Sequence, residues 1–387
     1  MKRVVLWLVL ALGFLLALVR LVGPQILETE QNHTLQAPPY RASPQAEALQ
    51  KTLLVADLHA DTLLWGRDLL KHSSRGHVDV PRLLEANVGI QGFTVVSSVP
   101  WGLNIERNED TSDMLRWVAV MEGWPAGAMF SPKGRALYQA ERMRKFAERS
   151  GGKLVLLRTR GDLAEYLKNR AAGTRAVAAL LGTEGAQPLE GNLQNLDLLL
   201  QAGYRMMSPS HFTDTAIGGS AAGAQKGGLT ELGREWVMAM EQRGMLIDVA
   251  HASPATLHDV TSLATQPVVV SHAGVKGTCD NNRNLSDHEL RAVAATGGVI
   301  GIGFWETASC GRNAKAIAAT IRYTANLVGV EHVGLGSDFD GAVTEPFDGT
   351  GLVLITDALL QQGFSEHDIR LIMGENVARV LSQTLPE

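Results

Sequence analysis

The sequence contains no run rich in lysine or arginine, and its formal net charge is −5. Proteins that bind nucleic acid need a basic patch that neutralises phosphate groups. Lys2, Arg3 and Arg20 stand near the amino end, so the rest of the chain is more acidic still. We therefore expect no nucleic-acid partner.

Cysteine is also scarce, with only Cys279 and Cys310 in 387 residues. Neither cysteine has a neighbour at the spacing of a structural zinc knuckle. The chain shows no convincing internal repeat, and charged residues make up 19% of it against 45% apolar ones. These proportions are typical of a globular enzyme with a large core and exclude a disordered chain.

The first 24 residues differ in composition from the rest. Lys2 and Arg3 precede an apolar run that extends to Val19. At about 1.5 Å per residue, Val4 to Gly23 would span roughly 30 Å, about one hydrocarbon core. We predict an uncleaved membrane anchor, with a cleaved signal peptide and a secreted protein as the alternative. Both readings leave Lys2 and Arg3 in the cytoplasm and the rest of the chain outside it, in the periplasm for the anchored form.

Residues 25–50 are polar and contain proline, and we interpret them as a linker before a catalytic domain at residues 51–387. That domain contains eight short apolar runs, which we predict to be buried parallel strands. The runs are Leu53 to Leu58, Gly89 to Ser97, Ala176 to Gly182, Tyr204 to Ser208, Met245 to Ala250, Pro267 to Ser271, Gly298 to Phe304 and His332 to Ser337.

Helical patterns follow most of these runs, so the domain is predicted to be an α/β fold of the (β/α)8, or TIM, barrel type. Leu154 to Arg160 is a ninth strand candidate, which we interpret as an addition to the barrel.

Two neighbouring strand candidates end in histidine, the first at His251 and the second at His272. A helix predicted to begin after Ser253 connects them, so both side chains belong to the same edge of one sheet. Chemistry in barrels lies at the carboxyl ends of the strands, and imidazole is a common metal ligand there. The alternative is two structural histidines whose hydrogen bonds are satisfied.

Other strand candidates are followed by ligand-type residues as well. They are His59 and Asp61 after the first strand, Glu184 after the third, His211 after the fourth, and Asp338 and Asp340 after the eighth. Taken singly, Asp61 could cap a helix, and Glu184, Asp338 and Asp340 could be turn residues. In a barrel all of them would converge on one mouth.

Such a set is larger than one catalytic zinc uses, since that ion takes three protein ligands and keeps a position open. We predict two metal ions, with His59 and Asp61 on one, His251 and His272 on the other, and Glu184 bridging. Imidazole ligands favour zinc, and two ions can together support hydrolysis of an acyl bond by a shared hydroxide.

The chain resembles the membrane dipeptidase (renal dipeptidase) family, peptidase family M19, from Leu53 to Leu381. The matching segments are DLHADT, HVDVPRLLEANVGIQGF, LLGTEGAQPL, DVAHAS, VVVSHAG, NNRNLSD, VGLGSDFDG and GENVARVL. The resemblance implies a barrel with two zinc ions on the five ligands predicted above. It also implies that a metal-bridging hydroxide attacks the peptide carbonyl of a dipeptide.

The same resemblance implies roles for three more residues. His211 would polarise the scissile carbonyl, Arg283 would bind the substrate carboxylate, and Asp338 would transfer a proton. It further implies a disulfide between Cys279 and Cys310.

The segment FTDTAIGGS after His211 departs from the vertebrate enzymes, which have a Cys- and Trp-containing run there. The pattern is nearer to bacterial members of the family, whose substrates are less uniform. The preferred dipeptide therefore stays open. One alternative is a metal-dependent lactone, ester or other amide hydrolase on the same barrel. Another is a membrane-tethered binding protein with a vestigial site. The oligomeric state is open too, including a homodimer.

Overall fold

The computed structural model describes residues 2–387, with side chains left out at positions 4, 6, 8, 9, 11, 12 and 14–18. The described residues form nine strands, all of them paired in parallel. They are β1 Val55–Ala60, β2 Val88–Val96, β3 Leu154–Leu156, β4 Val177–Glu184, β5 Tyr204–Met207, β6 Leu246–Ile247, β7 Val269–Ala273, β8 Val299–Ile302 and β9 Val333–Leu335.

Helices connect the strands and cover the sheet. The α-helices are α1 Lys2–Gln31, α2 Pro44–Gln50, α3 Val80–Glu85, α4 Leu115–Met121, α5 Ala126–Phe130, α6 Pro132–Arg149, α7 Arg160–Ala171, α8 Asn195–Ala202, α9 Glu231–Gln242, α10 Pro254–Leu263, α11 Asp287–Ala295, α12 Glu306–Ser309, α13 Ala314–Val328, α14 Val353–Gln361, α15 Glu366–Arg370 and α16 Asn376–Thr384. Short 3-10 turns lie at Thr62–Leu64, Gln187–Leu189, Val330–His332 and Gly349–Leu352, and a π-helical turn lies at Leu371–Glu375.

Eight of the strands follow one another around a barrel in the order β6, β5, β4, β2, β1, β9, β8, β7. A parallel bridge between Asp248 and Val269 joins the two ends of this series. The (β/α)8 barrel prediction is confirmed. The short strand β3 pairs only with β4 and lies off the ring, as expected for the ninth candidate.

The strands form because their side chains are buried on both faces, as in other parallel sheets. In β4, Ala178 and Leu180 pack in one cluster and Val177 and Ala179 pack in another, and both clusters contain residues of neighbouring strands and of helices. Because side chains alternate along a strand, Glu184 continues the face of Ala178 and Leu180 at the carboxyl end.

Local sequence signals set several helix ends. The predicted start of α10 is confirmed, since the Ser253 hydroxyl accepts a hydrogen bond from Thr256 N at 3.0 Å and Pro254 occupies the first turn. Helix α11, which follows β7, begins in the same way, with a capping box between Ser286 and Glu289. These caps fix where each loop at the barrel mouth ends.

The predicted anchor, Val4 to Gly23, falls mostly on positions whose side chains lie outside the described residues. Within the part of the chain that is described, no helix is long and apolar enough to cross a membrane. The anchor therefore stays a prediction.

The predicted linker, residues 25–50, lies against the barrel along much of its length. Its first residues extend α1 to Gln31, and its last residues form α2. Between the helices, the Ser43 hydroxyl donates to Asp357 Oδ1 at 2.6 Å, and the Tyr40 ring lies edge-on to Phe347. Tertiary contacts order this segment although its sequence has no sustained period.

A disulfide joins Cys279 and Cys310, as the family resemblance implied. Cys279 lies in the loop after β7, and Cys310 lies at the end of α12. The Cys279 carbonyl also accepts a hydrogen bond from Asn284 Nδ2 at 2.7 Å. The disulfide therefore stabilises the loop that carries Arg283.

Replacing both cysteines by serine should lower the free energy of unfolding by about 3 to 4 kcal/mol, because the bond closes a loop of 31 residues in the unfolded chain. Urea unfolding of the oxidised protein and of the double variant measures this difference. Peptide mapping that finds both thiols free in exported protein would contradict the pairing.

Candidate metal centre and active site

The barrel brings the predicted ligand residues together at its carboxyl end. His59 and His272 lie near the ends of β1 and β7, Glu184 is the last residue of β4, and Asp61 directly follows β1. The loops after β5, β6 and β9 supply the remaining members, which are His211, His251 and Asp338. All seven residues are less than a tenth exposed.

Glu184 lies at the centre of this group. Its Oε1 is 2.9 Å from His251 Nε2, 3.3 Å from His272 Nε2 and 3.7 Å from His59 Nε2. Its Oε2 is 3.2 Å from His211 Nε2. One carboxylate therefore approaches four imidazoles from four different strand ends.

Potential ligand atoms fall into three overlapping sets, each with its atoms within 4.8 Å of one another. The sets are His59 with Glu184 and His272, Glu184 with His211 and His251, and His59 with Asp61 and Asp338. Glu184 and His59 each belong to two of them, and none of the three sets joins His251 with His272 as the predicted division does. The geometry also brings Asp338 beside His59 and Asp61, and His211 beside His251.

Two small residues that the sequence reasoning did not single out orient the ligands. The Ser271 hydroxyl lies 3.1 Å from His59 Nδ1 and 2.9 Å from His272 Nδ1. Thr94 Oγ1 donates to Asp61 Oδ1 at 2.7 Å. Because these hydrogen bonds engage Nδ1, the Nε2 atoms of both histidines are directed at the carboxylates.

The backbone carries strain at two of the predicted site residues. His251 has φ 62° and Asp338 has φ 69°, both in the left-handed region that residues with a Cβ seldom adopt. Such conformations persist only where the surrounding structure enforces them, and they are common at functional sites.

The charges of the site favour a cation at its centre. Burial alone would lower the pKa of His59, but the Asp61 and Glu184 carboxylates outweigh it and raise the pKa to about 10. Burial and the charge of Asp61 raise the pKa of Glu184 well above its usual value. The carboxylates therefore attract a positive charge, which a proton on His59 or a metal ion can supply.

The other histidines are held in the form that coordinates metals. Burial, followed by the positive charge of Arg283, lowers the pKa of His211 and His251 well below the usual histidine value. Burial and His59 have the same effect on His272. Neutral imidazole has a free lone pair and binds a metal without first losing a proton.

The residues present fit a metal ion. His59 Nε2 is buried and has no hydrogen-bond partner among the described residues. Carboxylate oxygens of Asp61, Glu184 and Asp338 lie 3.6 to 3.7 Å from it. A buried polar atom without a partner is costly, and a shared cation would satisfy this nitrogen and the oxygens together.

Arg283 belongs to the same cleft, but Asp340 does not. Arg283 donates to the His272 carbonyl at 2.9 Å, and its guanidinium stacks on the Trp305 ring at 5.5 Å. Asp340 is fully buried and does not line the cleft, and it accepts hydrogen bonds from Thr62 Oγ1 and from the backbone of His77. Asp340 is thus a structural residue of the loop after β9.

Two aspartates that the sequence reasoning passed over hold the strand ends in register. Asp57 accepts hydrogen bonds from the backbone and hydroxyl of Ser337 at 2.8 and 2.7 Å, across the junction of β1 and β9. Asp248 accepts from Ser271 N at 2.8 Å, beside the bridge that closes the barrel. Their positions in the sequence could have revealed them, since each aspartate stands two or three residues before a predicted ligand, His59 or His251.

A parallel barrel whose strand ends gather imidazoles and carboxylates into one buried cluster is typical of metal-dependent hydrolases. A family model described as membrane dipeptidase (peptidase family M19) matches residues 43–385. The chain belongs to this family, and it is a metal-dependent hydrolase of the dipeptidase type.

Individual relatives agree with this assignment. Dipeptidase verJ of Clonostachys rogersoniana is 27% identical over 312 residues, which are 79% of this chain and 75% of the relative. The crystal structure of the metallopeptidase dipeptidase AC superposes with a TM-score of 0.70 at 24% identity, covering 87% of this chain and all of that one (100%).

A second solved structure is a metallopeptidase from Rhodobacter sphaeroides, liganded with a phosphinate mimic of the dipeptide L-Ala-D-Ala. It superposes with a TM-score of 0.69 at 24% identity and covers 86% of this chain and 99% of that one. These two superpositions support the fold.

Removing bound metal with a chelator should lower the free energy of unfolding by about 3 to 4 kcal/mol when the free metal had been present at a hundred to a thousand times its Kd. The buried carboxylates then lose the cation that offsets their repulsion. Thermal or urea unfolding before and after chelation measures the change.

The variant Glu184→Gln should lose less stability on chelation, because it binds the metal more weakly from the start. Glu190→Gln, on the same loop but away from the cluster, is the matched control and should behave as the wild type. An unchanged unfolding midpoint in protein shown to be metal-free would count against the metal centre.

Proposed function

We propose that the chain hydrolyses dipeptides with two zinc ions held by His59, Asp61, Glu184, His251 and His272, with Glu184 between the two. When bound, the ions supply the nucleophile and the electrophile for amide hydrolysis. Three imidazoles in the ligand set suit zinc better than magnesium or calcium. The dipeptidase relative described above supports the substrate class.

The position of Arg283 is the observation that carries the choice of a dipeptide. Its guanidinium lies 3.1 Å from His251 Nε2, at the edge of the ligand cluster, and the Trp305 ring holds its plane. A guanidinium can grip a carboxylate through two parallel hydrogen bonds. A peptide whose carboxyl end is bound there places the nearby amide, one residue away, at the metal ligands.

Asp338 and His211 complete the proposed machinery. Burial raises the pKa of Asp338 to about 7, so its carboxyl group can take up and release a proton near neutral pH. We assign it the delivery of a proton to the leaving amine. His211, which burial keeps neutral, lies beside Glu184 Oε2, whereas the other three histidines lie beside Oε1. We assign His211 the polarisation of the scissile carbonyl.

The cleft around these residues has a volume of about 550 Å³. Its polar side contains the ligand cluster and Arg283, and its other side is lined by apolar residues such as Trp65 and Val99. A pocket of this size encloses a small molecule, as a dipeptide requires.

The variant Arg283→Ala should reduce kcat/KM for dipeptides by about 10- to 1000-fold, corresponding to roughly 1.4 to 4 kcal/mol of lost transition-state stabilisation. Amidating the carboxyl end of the substrate should lower kcat/KM of the wild type by a similar factor. It should change kcat/KM of the variant little, because the variant already lacks the guanidinium that binds the carboxylate. Steady-state kinetics with both substrates measure the coupling.

Arg312→Ala is a matched control, since Arg312 is exposed and pairs with Glu306 on the surface. Elemental analysis should give about two zinc ions per chain for the wild type and for both arginine variants. A wild type that hydrolyses amidated and free dipeptides equally well would contradict the carboxylate site and favour the broader lactone, ester or amide hydrolase.

We also propose that the amino-terminal segment, residues 1–24, anchors the catalytic domain outside the cytoplasm. The apolar run that begins at Val4 and the basic pair before it support this orientation. The full-length protein should stay with membranes after a carbonate wash and keep Met1 at its amino end, whereas a variant lacking residues 1–23 should be released. A soluble wild-type form that begins beyond residue 20 would indicate signal cleavage instead.

A further inference from the structure

The carboxyl-terminal end of α1 forms part of the wall of the cleft. Leu27 and Gln31, which belong to its last two turns, line the same cavity as Asp61, Glu184 and Arg283. Both residues precede residues 43–385, the part of the chain that matches the family model. This portion of the wall therefore comes from outside the part of the chain that matches the family model.

Buried ion pairs hold the helix end in place. Glu28 is 2% exposed, and its carboxylate accepts hydrogen bonds from Arg67 and from Arg75, the latter at 3.1 Å. Arg67 also pairs with Asp340, in the loop that carries Asp338. Removing one partner from such a network leaves a buried charge uncompensated, so the arrangement fixes the position of α1.

The chain that follows the helix is attached to the same loop. Asn32 Oδ1 accepts a hydrogen bond from Ala342 N at 3.0 Å. The backbone of Glu345 donates to the His33 carbonyl at 2.8 Å and accepts from Leu35 N at 2.9 Å. Side-chain and backbone hydrogen bonds to the loop after β9 thus hold this part of the cleft wall in place.

Leu27 contributes to the apolar side of the cleft. It packs against the cluster formed by Leu64, Trp65, Val96, Val99, Leu115, Val118, Ala119, Trp124 and Ala128. Six members of that cluster line the cavity together with Leu27, namely Leu64, Trp65, Val96, Val99, Leu115 and Val118. A side chain that enters this region meets hydrocarbon on several sides.

The apolar side faces Arg283 across the barrel. In the order of the eight strands, β2 lies half-way around the ring from β7. Val96 ends β2, and Arg283 lies in the loop after β7. A dipeptide whose carboxylate is held by Arg283 therefore extends its amino-terminal residue across the metal ligands toward Leu27.

We propose that Leu27, with Gln31 at the rim, forms part of the pocket for the side chain of the substrate's amino-terminal residue, and that this pocket selects apolar side chains. Glu28 is a positioning residue that acts through Leu27. The inference rests on the proposed dipeptidase function and extends it to a specificity determinant.

The test compares Leu27→Ala and Leu27→Phe in the full-length, metal-loaded protein. The first substrate series is X-Ala, with X as Gly, Ala, Leu or Phe, and the second is Ala-X with the same residues. Leu27→Ala enlarges the pocket and should raise the kcat/KM ratio of Phe-Ala to Ala-Ala, whereas Leu27→Phe should lower it. The two variants should differ in this ratio by about 10-fold or more, and the Ala-X ratios should stay as in the wild type.

Ile26→Ala is the matched control, since Ile26 is the adjacent helix residue and is 57% exposed. A second readout is the Kd of phosphinate mimics of Ala-Ala and Phe-Ala, whose ratio should move in the same direction without turnover. Glu28→Gln should shift the X-Ala ratios as Leu27→Ala does. If Glu28 had a merely structural role, its loss would lower kcat/KM for all substrates by the same factor.

Leu27 variants whose X-Ala ratios match those of Ile26→Ala would overturn the inference while leaving dipeptide hydrolysis intact. The same conclusion follows if the X-Ala and Ala-X series respond equally. A wild type that hydrolyses no member of either series would overturn the proposed function and this inference with it.

Discussion

The burial of Glu184 among four imidazoles is the interaction on which the rest of the site depends. A carboxylate with so little exposure is stable only when positive charge or hydrogen-bond donors surround it. Its oxygens lie 2.9 to 3.7 Å from the Nε2 atoms of these rings. Each ring comes from a different strand end, so the site exists only when the barrel is closed in the correct register.

Buried polar residues at the strand junctions maintain that register. Asp57 ties β1 to β9 through Ser337, and Asp248 ties the end of β6 to Ser271 in β7. Strand β6 is only two residues long, and Asp248 supplies hydrogen bonds where the ladder is short. The apolar faces of the strands fix the barrel, while these aspartates determine which side chains meet at its mouth.

The sequence predicts the fold and the location of the site because both depend on local patterns. Short apolar runs such as the one before His251 reveal strands, and ligand-type residues after them share one edge. The segment from Gln25 to Gln50 was harder to interpret, because its structure comes from tertiary contacts such as that of Ser43 with Asp357. A turn role for Asp340 was among the predictions, but its partners could not be predicted, since the hydrogen bonds it accepts come from residues more than 260 positions away.

The loop after β9 connects the ligand cluster, through Asp338, to the part of the cleft wall formed by α1. Asp338 and Asp340 both have left-handed backbone conformations there, and Asp340 binds the arginine that holds Glu28. Strain of this kind is maintained only by surrounding contacts, and Arg67 is one of them. The position of α1 and the position of Asp338 therefore depend on the same buried charges. A change in the amino-terminal helix would therefore reach Asp338 through Arg67 and Asp340, as well as altering the shape of the pocket.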